Sequence, residues 1–130
     1  MDKVSGLEPD LVKEFVGVSH GNLARVEELL AQTPALVNAA WDWGGGDWET
    51  GLGAAAHTGQ KEIAALLLAH GARMDIFAAA MLGQLEIVKA IIAAQPEART
   101  APGPHGIPLL IHAQQGGEGA TDVVAFLTIV

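Results

Sequence analysis

A glycine followed by the same apolar spacing occurs four times, and this repetition limits the possible folds more than any other feature. The segments run Gly21 to Leu30, Gly59 to Leu68, Gly83 to Ile92 and Gly119 to Leu127. Within each, apolar residues recur at helical spacing, as in Ile63, Leu66 and Leu67, or Ile87, Ala90 and Ile91. That pattern gives each helix one buried stripe. The glycine supplies the turn from a shorter helix that runs up to it. A single helix pair cannot bury its apolar face alone, so the pairs must stack.

Several segments match one family. Gly83-Gln84-Leu85-Glu86-Ile87-Val88-Lys89 resembles the second helix of an ankyrin repeat, as does Leu66-Leu67-Leu68-Ala69-His70-Gly71-Ala72 with the turn after it. Thr50-Gly51-Leu52-Gly53-Ala54-Ala55-Ala56 resembles the first helix, with glycine in place of the usual proline and histidine. Ile107-Pro108-Leu109-Leu110-Ile111-His112-Ala113 keeps the proline and the leucine, and Val37-Asn38-Ala39 matches the repeat exit. The resemblance covers roughly residues 10–127 and implies a small, single-domain ankyrin protein of bacterial style. Its expected fold is an all-α solenoid of about four helix-turn-helix repeats, roughly 10–40, 41–76, 77–100 and 101–130, forming one domain over 1–130.

The repeats are unequal. The glycines at 21, 59, 83 and 119 give intervals of 38, 24 and 36 residues, against about 33 in a regular ankyrin array. The first interval is long because it holds an enlarged hairpin finger, Trp41-Asp42-Trp43-Gly44-Gly45-Gly46-Asp47-Trp48-Glu49. The second is short because Ala72 to Ile76 leads straight into a helix expected over Phe77 to Leu82, so one finger is missing. The third carries Ala101-Pro102-Gly103-Pro104-His105-Gly106 as a second finger. A long finger beside a missing one predicts a notch on the concave face, roofed by tryptophan.

Charge and composition exclude several functions. The net charge of −8 and the lack of any basic cluster argue against nucleic acid, whose phosphates demand a positive footprint, and against an anionic membrane surface. No apolar run is long enough to span a bilayer, and Met1 to Gly6 has no signal-peptide core, so a cytoplasmic location is expected. Without cysteine there is no thiolate zinc site. No compact metal motif, phosphate loop or dinucleotide fingerprint occurs, and no two histidines stand four apart on a helix. The expectation is therefore no metal and no cofactor.

The candidate binding residues are Trp41, Trp43 and Trp48 on the finger and His57, Met81, Leu82, His105 and Gln114 on or near the concave face. The resemblance implies that the pairs just before each turn glycine, Ser19-His20 among them, face that surface. Asp42, Asp47, Glu49 and His57 are the candidates for acid–base chemistry. His112 is expected to be an internal, satisfied histidine. The leading expectation is a binding module that holds a protein or a small molecule on its concave face. The alternative is a small-molecule enzyme doing acid–base chemistry in a Trp-lined pocket. Phe126 to Val130 lack a polar cap, which predicts self-association through the C-terminal edge or a shortened chain.

Overall fold

The computed structural model describes residues 5–129, so the expectations for Met1 to Val4 and Val130 lie outside the described residues. Helices α1 (Pro9–Val18), α2 (Leu23–Gln32), α3 (Gly51–His57), α4 (Lys61–Ala69), α5 (Ile76–Met81), α6 (Leu85–Ala94), α7 (Leu109–Gln115) and α8 (Thr121–Thr128) form four successive pairs. Helices α1, α3, α5 and α7 pack in a row, and each contacts the helix that follows it. The architecture is thus mainly helical. Among the described residues the one strand pair is a short antiparallel ribbon of β1 (Ala40–Asp42) and β2 (Trp48–Thr50) in the long finger, with Trp41 opposite Glu49.

Local chemistry sets these boundaries. Pro9 opens α1 with Asp10 in its first turn, where a carboxylate suits the positive end of the helix. Asn22, Thr50 and Asp75 cap α2, α3 and α5 by accepting backbone N–H groups. Asp75 leads directly into α5, so the connection before that helix has no finger.

The core has two parts. Phe15, Val16, Leu29, Leu36, Leu52, Ile63, Leu67 and Met81 fill the larger, and Ala79, Ala80, Val88, Leu109 and Val123 the smaller. Leu67 is fully buried as its stripe requires, whereas Ile91 is only partly so. Helices α5 and α7 approach backbone to backbone. A Cβ at Gly83 would collide with the carbonyl of Gly119, and one at Gly116 with the carbonyl of Met81. That closeness corrects one sequence expectation. Met81 is buried in the core instead of forming a concave apolar patch, and Leu82 is half-buried against the same core.

At the C-terminal edge, the Arg99 guanidinium lies 4.7 Å from the Phe126 ring centroid and donates to the carbonyls of Phe126 and Leu127. Arg99 therefore covers part of the edge, while Ile129 stays exposed. Among the described residues, no helix is long and apolar enough to cross a membrane.

Candidate metal centre

The long finger carries Glu49 inward. Along β2 the side chains alternate, so Trp48 faces water, at 61% exposure, while Glu49 is 1% exposed. Burying a carboxylate is costly unless charge and hydrogen bonds compensate it. Trp43, from the same finger, donates its indole N–H to Oε1 of Glu49 at 2.9 Å. The remaining neighbours are histidines. Nε2 of His20 lies 3.2 Å from Oε1, and Nε2 atoms of His57 and His105 lie 2.9 and 3.3 Å from Oε2. One donor atom from each of His20, Glu49, His57 and His105 falls within 4.8 Å of all the others.

Separate parts of the chain position these rings. His20 sits in the turn after α1, and its Nδ1–H donates to the Gly17 carbonyl at 3.0 Å. His57 ends α3. A Cβ on Gly51, the first residue of that helix, would stand 2.8 Å from the Phe15 ring, so only glycine brings α3 this close to α1. His105 belongs to the second finger. It holds a left-handed backbone, φ 60° and ψ 18°, the one non-glycine with positive φ among the described residues. Such strain is worth about 1–3 kcal/mol and persists only where neighbours enforce it. Asp47 is the enforcing neighbour. Its two carboxylate oxygens accept the backbone N–H of His105 at 2.7 Å and the ring Nδ1–H at 2.6 Å.

A carbonyl and a carboxylate can only accept, so the outer nitrogens of His20 and His105 carry the protons. When these rings are neutral, their Nε2 lone pairs are turned toward the Glu49 carboxylate. Acceptor then meets acceptor, and a positive charge has to stand between them. Oε2 of Glu49 and Nε2 of His57 are both buried, yet neither makes an aligned hydrogen bond despite their 2.9 Å separation. Burial pushes the Glu49 carboxyl up, but His20, His57 and then Trp43 outweigh it and hold it down at about 2. The Glu49 contact pushes His20 up against the opposing effect of burial. The backbone N–H of His105, foremost, keeps Asp47 below the usual carboxylate range.

Compared with known protein families, characterised proteins and solved structures, the chain shows no significant match. The site must therefore be read from its own geometry.

The sequence candidates divide into three groups. Glu49, His57, His105 and Trp43 come together, with Asp47 behind His105. Asp42 does not join them, since its carboxylate accepts the N–H groups of Gly44 and Gly46 and so caps the finger turn. Trp41 packs half-buried on the main core, and Gln114 is exposed away from the cluster. The predicted tryptophan roof is corrected too, because no indole is buried. The finger instead reaches across through Asp47 to His105, and Trp48 with Phe77 and Pro102 to Pro104 lines an open cavity of about 320 Å³.

His20 is absent from the sequence candidates for the site. Only its position before a turn glycine, on the concave side, pointed to it. The expected absence of a metal rested on the lack of a compact motif, and that criterion does not register a cluster drawn from positions 20, 49, 57 and 105. His112 is buried as expected but only half satisfied. Its Nδ1–H donates to the Pro108 carbonyl at 2.9 Å, while Nε2 has no partner. Burial pushes His112 down, toward the neutral ring.

Proposed function

We propose that this chain is an ankyrin-type helical-repeat scaffold that carries a divalent transition-metal centre and acts as a metal-dependent enzyme on a small molecule. The row of α1, α3, α5 and α7, each with its partner helix, supports the repeat reading. One observation carries the metal reading: three imidazole Nε2 atoms crowd one buried carboxylate, and two of those rings have their outer nitrogens tied.

Protons alone serve this cluster poorly. The His20, His57 and His105 ring centroids stand 4.9, 5.3 and 6.4 Å apart. One protonated imidazole balances Glu49 but leaves the lone pair of the other tied ring facing the carboxylate. Charging all three would set like charges together at about 3 kcal/mol per pair, taking an effective dielectric of about 20. A single divalent ion compensates Glu49 and leaves each ring neutral. Zinc–ligand bonds of about 2.0–2.2 Å place tetrahedral donors roughly 3.3–3.5 Å apart. The 3.2 and 3.3 Å from His20 and His105 to the carboxylate oxygens lie close to that spacing, and the 2.9 Å from His57 is shorter. All four donors lie within 4.8 Å of one another, so a bound ion would draw the set into shape. Imidazole and carboxylate donors without thiolate suit zinc and its first-row neighbours. The support of His105 by Asp47 and of His20 by Gly17 matches the outer contacts that orient metal-bound histidines.

The His20 and His105 side chains keep 28% and 32% of their surface exposed, so solvent reaches one side of the cluster. An ion held by all four donors would bind a water only by taking a further ligand on that side, beyond tetrahedral coordination. Trp43 stands beside that opening, 6.3 Å from the His20 ring and 6.2 Å from the His105 ring. It supplies an apolar wall for a small substrate. A bound metal would supply Lewis acidity and a water acidic enough to react near neutral pH. The chain's own residues fix the ring tautomers, exclude water from the Glu49 side and leave the Trp43 side accessible.

The test is metal analysis of the purified protein together with a substrate screen run with and without a chelator. The expected result is close to one equivalent of metal and a chelator-sensitive turnover. Turnover that survives complete metal removal would favour acid–base chemistry by Glu49 and the histidines alone. The exposed Trp48 supports a second reading, in which the finger tip also grips a protein partner. Trp48→Ala should then abolish partner binding while leaving metal content unchanged.

A further inference from the structure

Beside α5, whose connection lacks a finger, lies a cavity of about 320 Å³ that the imidazole cluster does not use. Asp47 and Trp48 line it from the long finger, Pro102 and Pro104 from the second finger, and Phe77 from α5. Two contacts hold this shape. Asp47 ties the fingers together through the backbone N–H and the ring of His105. Gly103 packs so closely that an added Cβ would stand 3.0 Å from the Phe77 ring. The polar groups of the lining are nearly all acceptors. Pro102 and Pro104 have no N–H. The N–H of Gly46 donates to Asp42, that of Asp47 to the Gly44 carbonyl, and that of Trp48 to the Gly46 carbonyl. The Gly103 N–H donates to the Ile107 carbonyl and the Phe77 N–H to the Asp75 carboxylate. Among the described residues, the Trp48 indole N–H is the one lining donor left uncommitted. Each Asp47 oxygen accepts one hydrogen bond from His105, which leaves further lone pairs on a side chain that is 30% exposed. No lysine or arginine lines the cavity, in a chain of net charge −8. An anion would meet a carboxylate here with no cation to receive it.

We infer that this cavity binds a small organic ammonium compound, its N–H groups donating to Asp47 and its carbon body lying against Trp48 and Phe77. A positive donor answers both the ionised carboxylate and the shortage of donors in the lining. The two aromatic rings supply apolar surface and also attract a cation near their faces. The volume lies at the lower end of the range for small-molecule sites, about 300–1,000 Å³. Asp47 meets the Nδ1 side of His105, whereas Glu49 meets its Nε2 side. The cavity is therefore a separate site, and it needs no metal at Glu49.

The test is a titration of the full chain with benzylammonium, followed through backbone and indole N–H signals in two-dimensional NMR spectra. A chelator is present, so that no metal competes for the amine. Saturable shifts should centre on Gly46, Gly103 and the Trp48 indole. Benzyl alcohol, the uncharged analogue, should bind at least about tenfold more weakly, because hydrogen bonds to charged groups are the stronger ones. Phenylacetate, the anionic analogue, should give no saturable shift. Asp47→Asn should weaken benzylammonium binding about tenfold, and Trp48→Ala about threefold or more. Asp47→Asn also loosens His105, so His105→Gly is measured beside it. That change removes the ring, keeps the backbone N–H that Asp47 accepts, and permits the positive φ. Its affinity should stay within about threefold of the parent. Equal losses in Asp47→Asn and His105→Gly would place the effect in the shape of the finger and overturn the contact with Asp47. Equal affinities for benzylammonium and benzyl alcohol would overturn the ammonium reading. Shifts centred on Val12 and Ala40, which with Trp48 line a second cavity, would overturn the choice of site, as would no saturable shift at all.

Discussion

The connection before α3 and the connection before α5 stand at equivalent places in neighbouring repeats, and each brings an acidic residue to the start of a helix. Before α5 the acid is Asp75, which accepts the Ala78 N–H at 2.8 Å and so caps the helix. Before α3 the cap is Thr50, whose hydroxyl oxygen accepts the Gly53 N–H at 3.0 Å. Glu49 is therefore not needed to hold its helix, yet it is the more deeply buried acid and has three imidazoles around it. The short connection uses its acid for folding. The long finger places one that caps no helix and instead gathers three imidazoles from separate parts of the chain. A carboxylate buried at some expense away from any helix cap, with three imidazoles on it, points to function.

Four substitutions and a pH comparison can break or sharpen this contrast. The largest effect should come from Leu67→Ala, which empties the core that both connections border and should lower stability by about 2–5 kcal/mol in chemical unfolding. It sets the baseline for a purely structural defect. Glu49→Gln should instead weaken metal binding by about 100-fold or more, in excess of typical losses for outer contacts, with the helical circular dichroism retained. Asp47→Asn should weaken it by about tenfold, because His105 loses a charged support. Asp75→Ala should cost about 1 kcal/mol of stability through its lost cap and leave metal affinity unchanged. If Asp75→Ala weakened metal binding as much as Glu49→Gln, the distinction between the two acids would be gone.

The smallest effect concerns pH. His20 is raised by Glu49, so its contribution to the metal-free fold is present below its unfolded value near 6.5 and is lost as pH rises through the higher folded one. Glu49 is lowered to about 2, so its own contribution is present above 4.5 and lost as pH falls toward 2. Metal binding runs the opposite way to His20, since it needs the neutral ring. Thermal unfolding between pH 5.5 and 8 should show metal stabilising the protein more strongly at the alkaline end. A metal effect that is flat or grows toward acid would count against imidazole ligands.

Much of the fold was legible in the sequence because its signals are local. Turn glycines, apolar spacing and finger length locate the helix pairs and the missing finger before α5. The site was legible only in pieces. Glu49, His57, His105 and Asp47 all stood out, but as acid–base or surface residues, because no short motif joins positions 20, 49, 57 and 105. His20, in the turn after α1, escaped selection because its partner carboxylate lies on the long finger, and sequence spacing carries no signal across that gap. Met81 misled for a related reason. Its place in the repeat implied exposure, but Gly116 lets α7 close on α5 and the side chain goes inward.

The central claim is most directly tested by anomalous diffraction from crystals grown with zinc, recorded above and below the zinc edge. The account predicts one strong peak within about 2.0–2.2 Å of Nε2 of His20, His57 and His105 and of a Glu49 oxygen. An empty position there at saturating zinc, with the imidazoles hydrogen-bonded directly to Glu49 or with zinc only at the exposed His70, would contradict it.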